Sequence, residues 1–480
     1  MNDMSTPRFA TLTGARLPEG FVVGTATASY QIEGAVHEDG RGPSIWDTFS
    51  HTPGKTLNGD TGDVACDHYH RLDEDLDLMA SYGLDAYRFS IAWPRIVPGG
   101  TGAVNQAGID FYSRLVDGLL ERGIKPVATL YHWDLPQVLE DDGGWPLRGT
   151  ANAFANYAEV VGAALGDRVH QWTTLNEPWC AAYLGYSEGV HAPGRREPEP
   201  TLRAVHHLNL AHGLALQALR ATVSKPDAQY SVTNNLQTVR PIDPDSADDL
   251  AAVARTKAMH NGVFTGPQLA GAYPELAIEA TRGVTDWSFV LDGDLETIKQ
   301  PIDVFGLNWY NPHWVGAGPL QDGDDGLQST PGLTDLRLRR PAHLAQTQMG
   351  WPIDPTGLEE ILLDLHAEFG DLPIAITENG SASDDVVGPD GAVHDTQRVE
   401  YLATHLSAVH RAIEAGVNVQ GYFAWSLMDN FEWSWGYERR FGITHVDYET
   451  QVRTPKDSAG WLRELIRTRA IPSTDPASWG

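Results

Sequence analysis

A chain of 480 residues, 41% hydrophobic and 20% charged, has apolar material for one large core, and α/β barrels of this length often fold as one domain. Its 64 acidic and 34 basic residues leave a net charge of -30, which repels phosphate backbones and argues against nucleic acid as a partner. No run reaches the ~18 apolar residues of a membrane span, and the first twenty residues lack the apolar stretch of a secretory signal, so the cytoplasm is the expected compartment.

In chain order, eight short β-rich runs are predicted at 21–26, 86–91, 125–130, 171–176, 229–234, 304–308, 374–378 and 419–425. Amphipathic helical stretches lie between them. Leu72, Leu76 and Met79 share one face, as do Phe111, Leu115 and Leu119, and then Phe154, Tyr157 and Val161. Alternating strand and helix implies parallel strands with helical crossovers. Eight such units predict an α/β fold, a single (β/α)8 TIM barrel with long βα loops; a doubly wound open sheet is the alternative. One catalytic domain is expected over 1–480, with its core at about 15–470. The irregular segment 316–348 and the shorter 383–395 are predicted βα loops, and no internal repeat is present. Cys66 and Cys180 are too few for a disulfide framework and are expected to be small buried residues.

Catalytic groups of such barrels sit at the C-terminal ends of the strands. Glu177 closes the fourth strand, QWTTLNE, and Glu378 closes the seventh, IAITE. A charge at the end of an apolar strand is costly unless paired or used. Each glutamate by itself could cap the next helix or pair with an arginine. Together they are what glycoside hydrolysis needs: one carboxyl protonated for the leaving oxygen, the other ionised for the anomeric carbon. Mutual repulsion and desolvation push two such pKa values apart.

The segments FVVGTATASYQIEGA, GPSIWDTF, YRFSIAWPRI, ATLYHWDLP, TLNEPW, GLNWY, ITENG, GYFAWSLMDNFEW and RFGITHVDY follow one another along nearly the whole chain. By them the chain resembles glycoside hydrolase family 1, the β-glucosidase family. The resemblance implies a retaining mechanism with Glu177 as general acid/base and Glu378 as nucleophile. The myrosinase branch carries glutamine in place of the acid/base; glutamate here implies O-glycoside hydrolysis. The resemblance also implies a sugar-binding shell of Gln31, His132, Trp133, Asn176, Tyr310, Trp425, Glu432 and Trp433, with Trp351 as an aglycone wall. Arg88, Tyr310 and Asn308 would orient the nucleophile. A glutamine amide both donates and accepts, which suits Gln31 to a vicinal diol. A carboxylate at Glu432, where members acting on 6-phosphorylated sugars usually have serine, implies a non-phosphorylated sugar.

The expected activity is removal of terminal non-reducing β-D-glucosyl residues from cellobiose, short oligosaccharides or aryl and alkyl β-glucosides. The alternatives are a broad β-glycosidase, cleaving β-galactosides and β-fucosides, and a silent carbohydrate-binding protein. The partner is expected to be a small molecule, with neither cofactor nor metal. His68 and His70, or His206, His207 and His212, form no recognised metal pattern, and no nucleotide-phosphate loop is present. Trp309 stands where many relatives have tyrosine, and this change has no functional account.

Overall fold

A computed structural model of the chain describes residues 9–327 and 329–479. Eight parallel strands close into a barrel: β1 (Val22–Ala26), β2 (Ala86–Ser90), β3 (Lys125–Tyr131), β4 (Gln171–Asn176), β5 (Gln229–Asn235), β6 (Val304–Asn308), β7 (Ile374–Asn379) and β8 (Val419–Trp425). Each strand pairs with its neighbour in chain order. The ring closes where β1 meets β8, with Val22 opposite Gly421 and Ala26 opposite Trp425. That pairing rules out the open sheet. The predicted strands lie within a residue of these bounds, because each is a short β-rich run largely buried on both faces.

The predicted helix faces are buried on the barrel wall. Leu76 and Met79 belong to the helix Leu72–Tyr82, Phe111 and Leu119 to Gln106–Glu121, and Phe154 and Val161 to Arg148–Leu165. The Phe423 ring lines the bottom of the barrel with Val22, Ala86 and Val127. Only glycine fits beside it at position 24, where a Cβ would meet the ring at 2.8 Å and the Ala86 carbonyl at 2.3 Å. One buried apolar cluster runs from Leu17 to Ile471.

The segment 316–348 is more ordered than its composition suggests. It contributes Asp324–Gly326 and Leu336–Arg339 to a four-stranded sheet with Val239–Pro241 and His313–Ala317. Asp324 holds that sheet by accepting from Arg337 Nη1 at 2.9 Å and Arg339 Nε at 2.8 Å. Gln328 of this segment lies outside the described residues. The segment 383–395 follows irregular backbone, as expected.

The histidines that invite a metal reading are engaged in hydrogen bonds. His68 Nδ1 meets Asp75 at 2.7 Å, His206 Nε2 meets Asp294 at 2.9 Å and His212 Nδ1 meets Thr174 at 2.7 Å. Among the described residues, no helix is long and apolar enough to cross a membrane, and no three His, Cys, Asp or Glu side chains converge as metal ligands. Cys66 and Cys180 are free, buried thiols.

A buried ionic cluster ties the β7 and β8 loops to the C-terminal region. Lys456 Nζ reaches Asp385 Oδ2 at 2.5 Å and Asp429 Oδ1 at 2.6 Å. Arg398 pairs with Asp385 at 2.7 Å and also with Asp395, while Arg440 pairs with Asp429 at 2.7 Å. Three cations match three carboxylates. Lys456→Met keeps the volume but leaves the carboxylates under-compensated. We expect a loss of about 3–5 kcal/mol, measured as a lower urea midpoint.

Candidate active site

The closed barrel gathers the C-terminal ends of its strands at one mouth. Gln31 lies in the short helix Ser29–Ile32 after β1, Arg88 in β2, and His132 and Trp133 just past β3. Asn176 ends β4 and Glu177 follows it. Asn308 ends β6, with Tyr310 two residues on. Glu378 lies in β7, Trp425 ends β8, and Glu432 and Trp433 stand in the loop beyond. An irregular β6–β7 register sets Glu378 opposite Asn308.

Arg88, whose side chain is fully buried, organises the polar groups. Its Nη1 donates to Glu378 Oε1 at 2.6 Å and its Nη2 donates to Asn176 Oδ1 at 2.6 Å. A guanidinium only donates, so Asn176 must face it with its oxygen. The Asn176 amide nitrogen is then turned to His132 Nε2 at 3.0 Å. That nitrogen has to accept, which puts the imidazole proton on Nδ1. Burial, helped by the Arg88 charge, holds His132 well below its ordinary pKa, so the ring is neutral.

Asn308 is oriented from the same source. Its amide nitrogen reaches Asn176 Oδ1 at 3.1 Å and Glu177 Oε1 at 2.7 Å. Its carbonyl oxygen accepts from Thr377 Oγ1 at 2.8 Å. The Tyr310 hydroxyl donates to Glu378 Oε2 at 2.8 Å. The second oxygen of Glu177 accepts from the Cys180 thiol at 3.1 Å.

These contacts separate the two carboxyls electrically. Burial and the charge of Glu378 push Glu177 up to about 8, against the pull of Asn308, Cys180 and Arg88. Burial also raises Glu378, but Arg88 opposes it directly, with help from Tyr310. Glu378 is therefore the carboxyl that ionises first. Glu432 is pushed up to about 8, by burial first and then by the charges of Glu378 and Glu177. At neutral pH it carries a proton and can donate as well as accept.

Aromatic rings wall the site. Trp133 and Trp433 lie 4.6 Å apart between centroids, His132 stacks on Trp425 at 5.9 Å, and Trp433 meets Trp46 at 4.5 Å. Trp351 stands 5.3 Å from Tyr310 on the outer side. Three site residues, Trp133, Glu177 and Trp433, hold positive φ values of 73°, 46° and 50°. Left-handed backbone at such residues costs about 1–3 kcal/mol each and persists only under surrounding constraint. The Glu177 amide is pinned to the Thr233 carbonyl at 2.9 Å.

Buried Gln31 Oε1, His132 Nδ1 and Glu432 Oε2 have no protein partner. Gln31 differs from the vicinal-diol expectation: its nitrogen donates to Asn430 Oδ1 at 2.9 Å and the Phe431 carbonyl at 2.8 Å, which leaves only its oxygen. Two acceptors and a donor around an aromatic floor match the rim of a hydroxylated ring. Thr377, Cys180 and Asn235 were not picked out from sequence as site residues. Thr377 precedes Glu378 directly, and Cys180 follows Glu177 by three residues, a helical spacing that would have flagged it.

The family model for glycosyl hydrolase family 1 matches residues 13–471. The chain belongs to glycosyl hydrolase family 1. It is 53% identical over 463 residues to a bifunctional beta-D-glucosidase/beta-D-fucosidase of Bifidobacterium breve, covering 94% of this chain and 98% of that one. The solved family 1 β-glucosidase from Thermotoga maritima superposes with a TM-score of 0.90 at 45% identity, covering 96% of this chain and all of that one. The β-glucosidase from the same organism in complex with castanospermine gives a TM-score of 0.89, also at 45% identity and 96% coverage of this chain, with 100% of that one covered. This family 1 chain is thus a glycosyl hydrolase on a (β/α)8 barrel.

Glycoside hydrolysis with this pair should follow a bell-shaped pH profile. Activity falls as pH rises through about 8, where Glu177 loses its proton. It falls again at low pH, as Glu378 takes one up. Arg88→Met removes the cation that opposes protonation of Glu378. We expect the acid limb of kcat/KM to move up by about 1–3 pH units, narrowing the bell; an unmoved acid limb would refute this role.

Proposed function

We propose that the protein is a retaining, exo-acting β-glucosidase. It removes terminal non-reducing β-D-glucosyl residues from cellobiose, short oligosaccharides and aryl or alkyl β-glucosides. The observation that carries this reading is the asymmetry of the carboxyl pair: Glu378 accepts from the Arg88 guanidinium and the Tyr310 hydroxyl, while Glu177, likewise buried, accepts only from the neutral Asn308 amide and Cys180 thiol.

The reaction has two steps. Glu378 attacks the anomeric carbon while Glu177 gives its proton to the departing oxygen. A glycosyl ester forms on Glu378, and its charge disappears. Glu177, now ionised, is no longer repelled by that charge and can act as a base. It takes a proton from water, the hydroxide attacks the anomeric carbon, and Glu378 leaves as carboxylate. Two inversions retain the configuration.

Asn176, beside the acid/base, suits the 2-hydroxyl. Gln31, His132, Glu432 and Trp433 suit the far hydroxyls, and Trp425 provides the platform. Exo action is supported by the far wall, where Trp46 packs on Trp433, and Tyr30 lies 5.7 Å from Phe431. A chain extended past the terminal sugar would run into these rings. Glu432 works against a 6-phosphate because, among the described residues, its buried setting offers no cation to offset the phosphate's charge, the same setting that keeps its own carboxyl protonated. The Bifidobacterium breve relative, named for glucosidase and fucosidase activity, favours a second reading in which the shell also accepts a β-fucoside, a sugar without the 6-hydroxyl. The continuous core supports one catalytic domain. The two unpaired cysteines suit a reducing cytoplasm, where the enzyme would act on short products of cellulose breakdown.

A panel of p-nitrophenyl glycosides tests the substrate. The β-glucoside should be cleaved fast, the β-fucoside measurably, and the α-glucoside and β-glucoside 6-phosphate not at all. Cleavage of the 6-phosphate alone would overturn the reading of Glu432. For the roles, Glu378→Ala should fold and lose turnover. Glu177→Ala should lose roughly 10²–10⁴-fold on poor leaving groups and much less on activated aryl groups. An equal loss over all leaving groups would count against Glu177 as the acid.

A further inference from the structure

Glu177 has two carboxyl oxygens in different surroundings. Oε1 takes the Asn308 amide at 2.7 Å. Asn308 cannot flip, because its nitrogen also donates to Asn176 Oδ1 at 3.1 Å, an atom that the Arg88 guanidinium already fixes as an acceptor. An amide N–H only donates, so Oε1 must stay an acceptor and is the wrong oxygen to carry a proton. Oε2 faces the thiol of Cys180 at 3.1 Å. A thiol both donates and accepts, so it tolerates Oε2 with or without its proton. The sulfur is itself held from behind by Asn235 Nδ2 at 3.5 Å. The turn from Glu177 into the π-helical segment Cys180–Glu188 brings the two side chains together, with the Ala181 amide on the Glu177 carbonyl at 3.3 Å.

We infer that Cys180 is a positioning residue for Glu177: its thiol leaves the acid's proton to Oε2 and donates to that oxygen once the proton has gone. The inference rests on the reading of Glu177 as acid/base. In the first half-reaction the Oε2 proton passes to the leaving oxygen. In the second, the S–H steadies the carboxylate until water is deprotonated. Cys180 does this as a neutral thiol. Burial, then the Glu177 charge, push it well above the usual thiol range, so it serves neither as a nucleophile nor as a reactive thiolate. The titratable and charged groups facing Glu177 are Glu378 from β7, Arg88 from β2, Tyr310 beyond β6 and Glu432 beyond β8; Glu188, on the thiol's own segment, also acts on Cys180. All of them remain when residue 180 is changed, so a shift of the basic limb reports on the thiol.

The experiment is the pH profile of kcat/KM on p-nitrophenyl β-glucoside for the full chain carrying Cys180→Val or Cys180→Ser. Valine fills the space without a donor. Its basic limb should move up by about 0.5–1 pH unit, the effect of removing one hydrogen bond from the carboxylate. Serine donates from the same place and should bring the limb back toward wild type. Cys180→Ala replaces the valine variant should that one not fold. A valine or alanine limb that coincides with wild type, or a serine limb as displaced as the valine one, overturns the inference. Glu177→Gln in the same assay separates the two failures. If its basic limb persists, the acid/base reading is wrong. If its limb is lost while Cys180→Val leaves the limb in place, the thiol inference alone fails.

Discussion

The site depends on one buried guanidinium. Arg88 has no exposed side-chain surface, yet it carries a full charge that burial makes expensive. Two hydrogen bonds of 2.6 Å and the facing carboxylate of Glu378 offset that cost. Because a guanidinium can only donate, its position sets the direction of every bond downstream. Asn176 turns its oxygen in, His132 keeps its proton on Nδ1, and Asn308 aims its nitrogen at Glu177. The same charge makes Glu378 the easier carboxyl to ionise. Glu177 and Glu432, which lack so close a cation, keep their protons to about 8. A single cation beside one of three buried carboxyls thus splits their protonation, and the proposed roles of nucleophile, acid and neutral sugar-binding carboxyl rest on that split.

That arrangement needs a rigid frame, since dipoles must already point the right way when charge moves. The closed barrel supplies most of it. The positive-φ backbone at Trp133, Glu177 and Trp433 shows where the frame bends local geometry to aim a side chain. The loop that carries Glu432 and Trp433 is anchored below by Asp429 in its ionic cluster and behind by Trp46 against Trp433 and Tyr30 against Phe431. The cluster and the aromatic slab hold the loop from two sides, one by charge and one by packing.

Much of the fold could be read from the chain, because barrel strands are short apolar runs and the helices between them show one buried face. The segment 316–348 was the exception. Its aspartates and glycines look like an irregular loop, but Asp324 pairs with Arg337 and Arg339 across strands that local composition does not reveal. At the site, the glutamates were visible as charges ending apolar strands, and the sugar shell came with the family resemblance. Cys180 was read as a small buried residue, although its helical spacing of three residues from Glu177 pointed to the contact. Gln31 was expected to offer both ends of its amide, yet its nitrogen is taken by the loop carrying Asn430 and Phe431, some four hundred residues away.

The sequence by itself determined the order of eight strands, their alternation with helices and the presence of a glutamate at the ends of two of them. These follow from local periodicity and from the cost of placing a charge beside apolar residues. Only the tertiary structure decided which carboxyl keeps its proton, which nitrogen of His132 carries hydrogen and which oxygen of Glu177 faces the thiol. Those outcomes depend on burial and on charge between side chains distant in the chain, such as Arg88 and Glu378. They came into being only when the barrel closed.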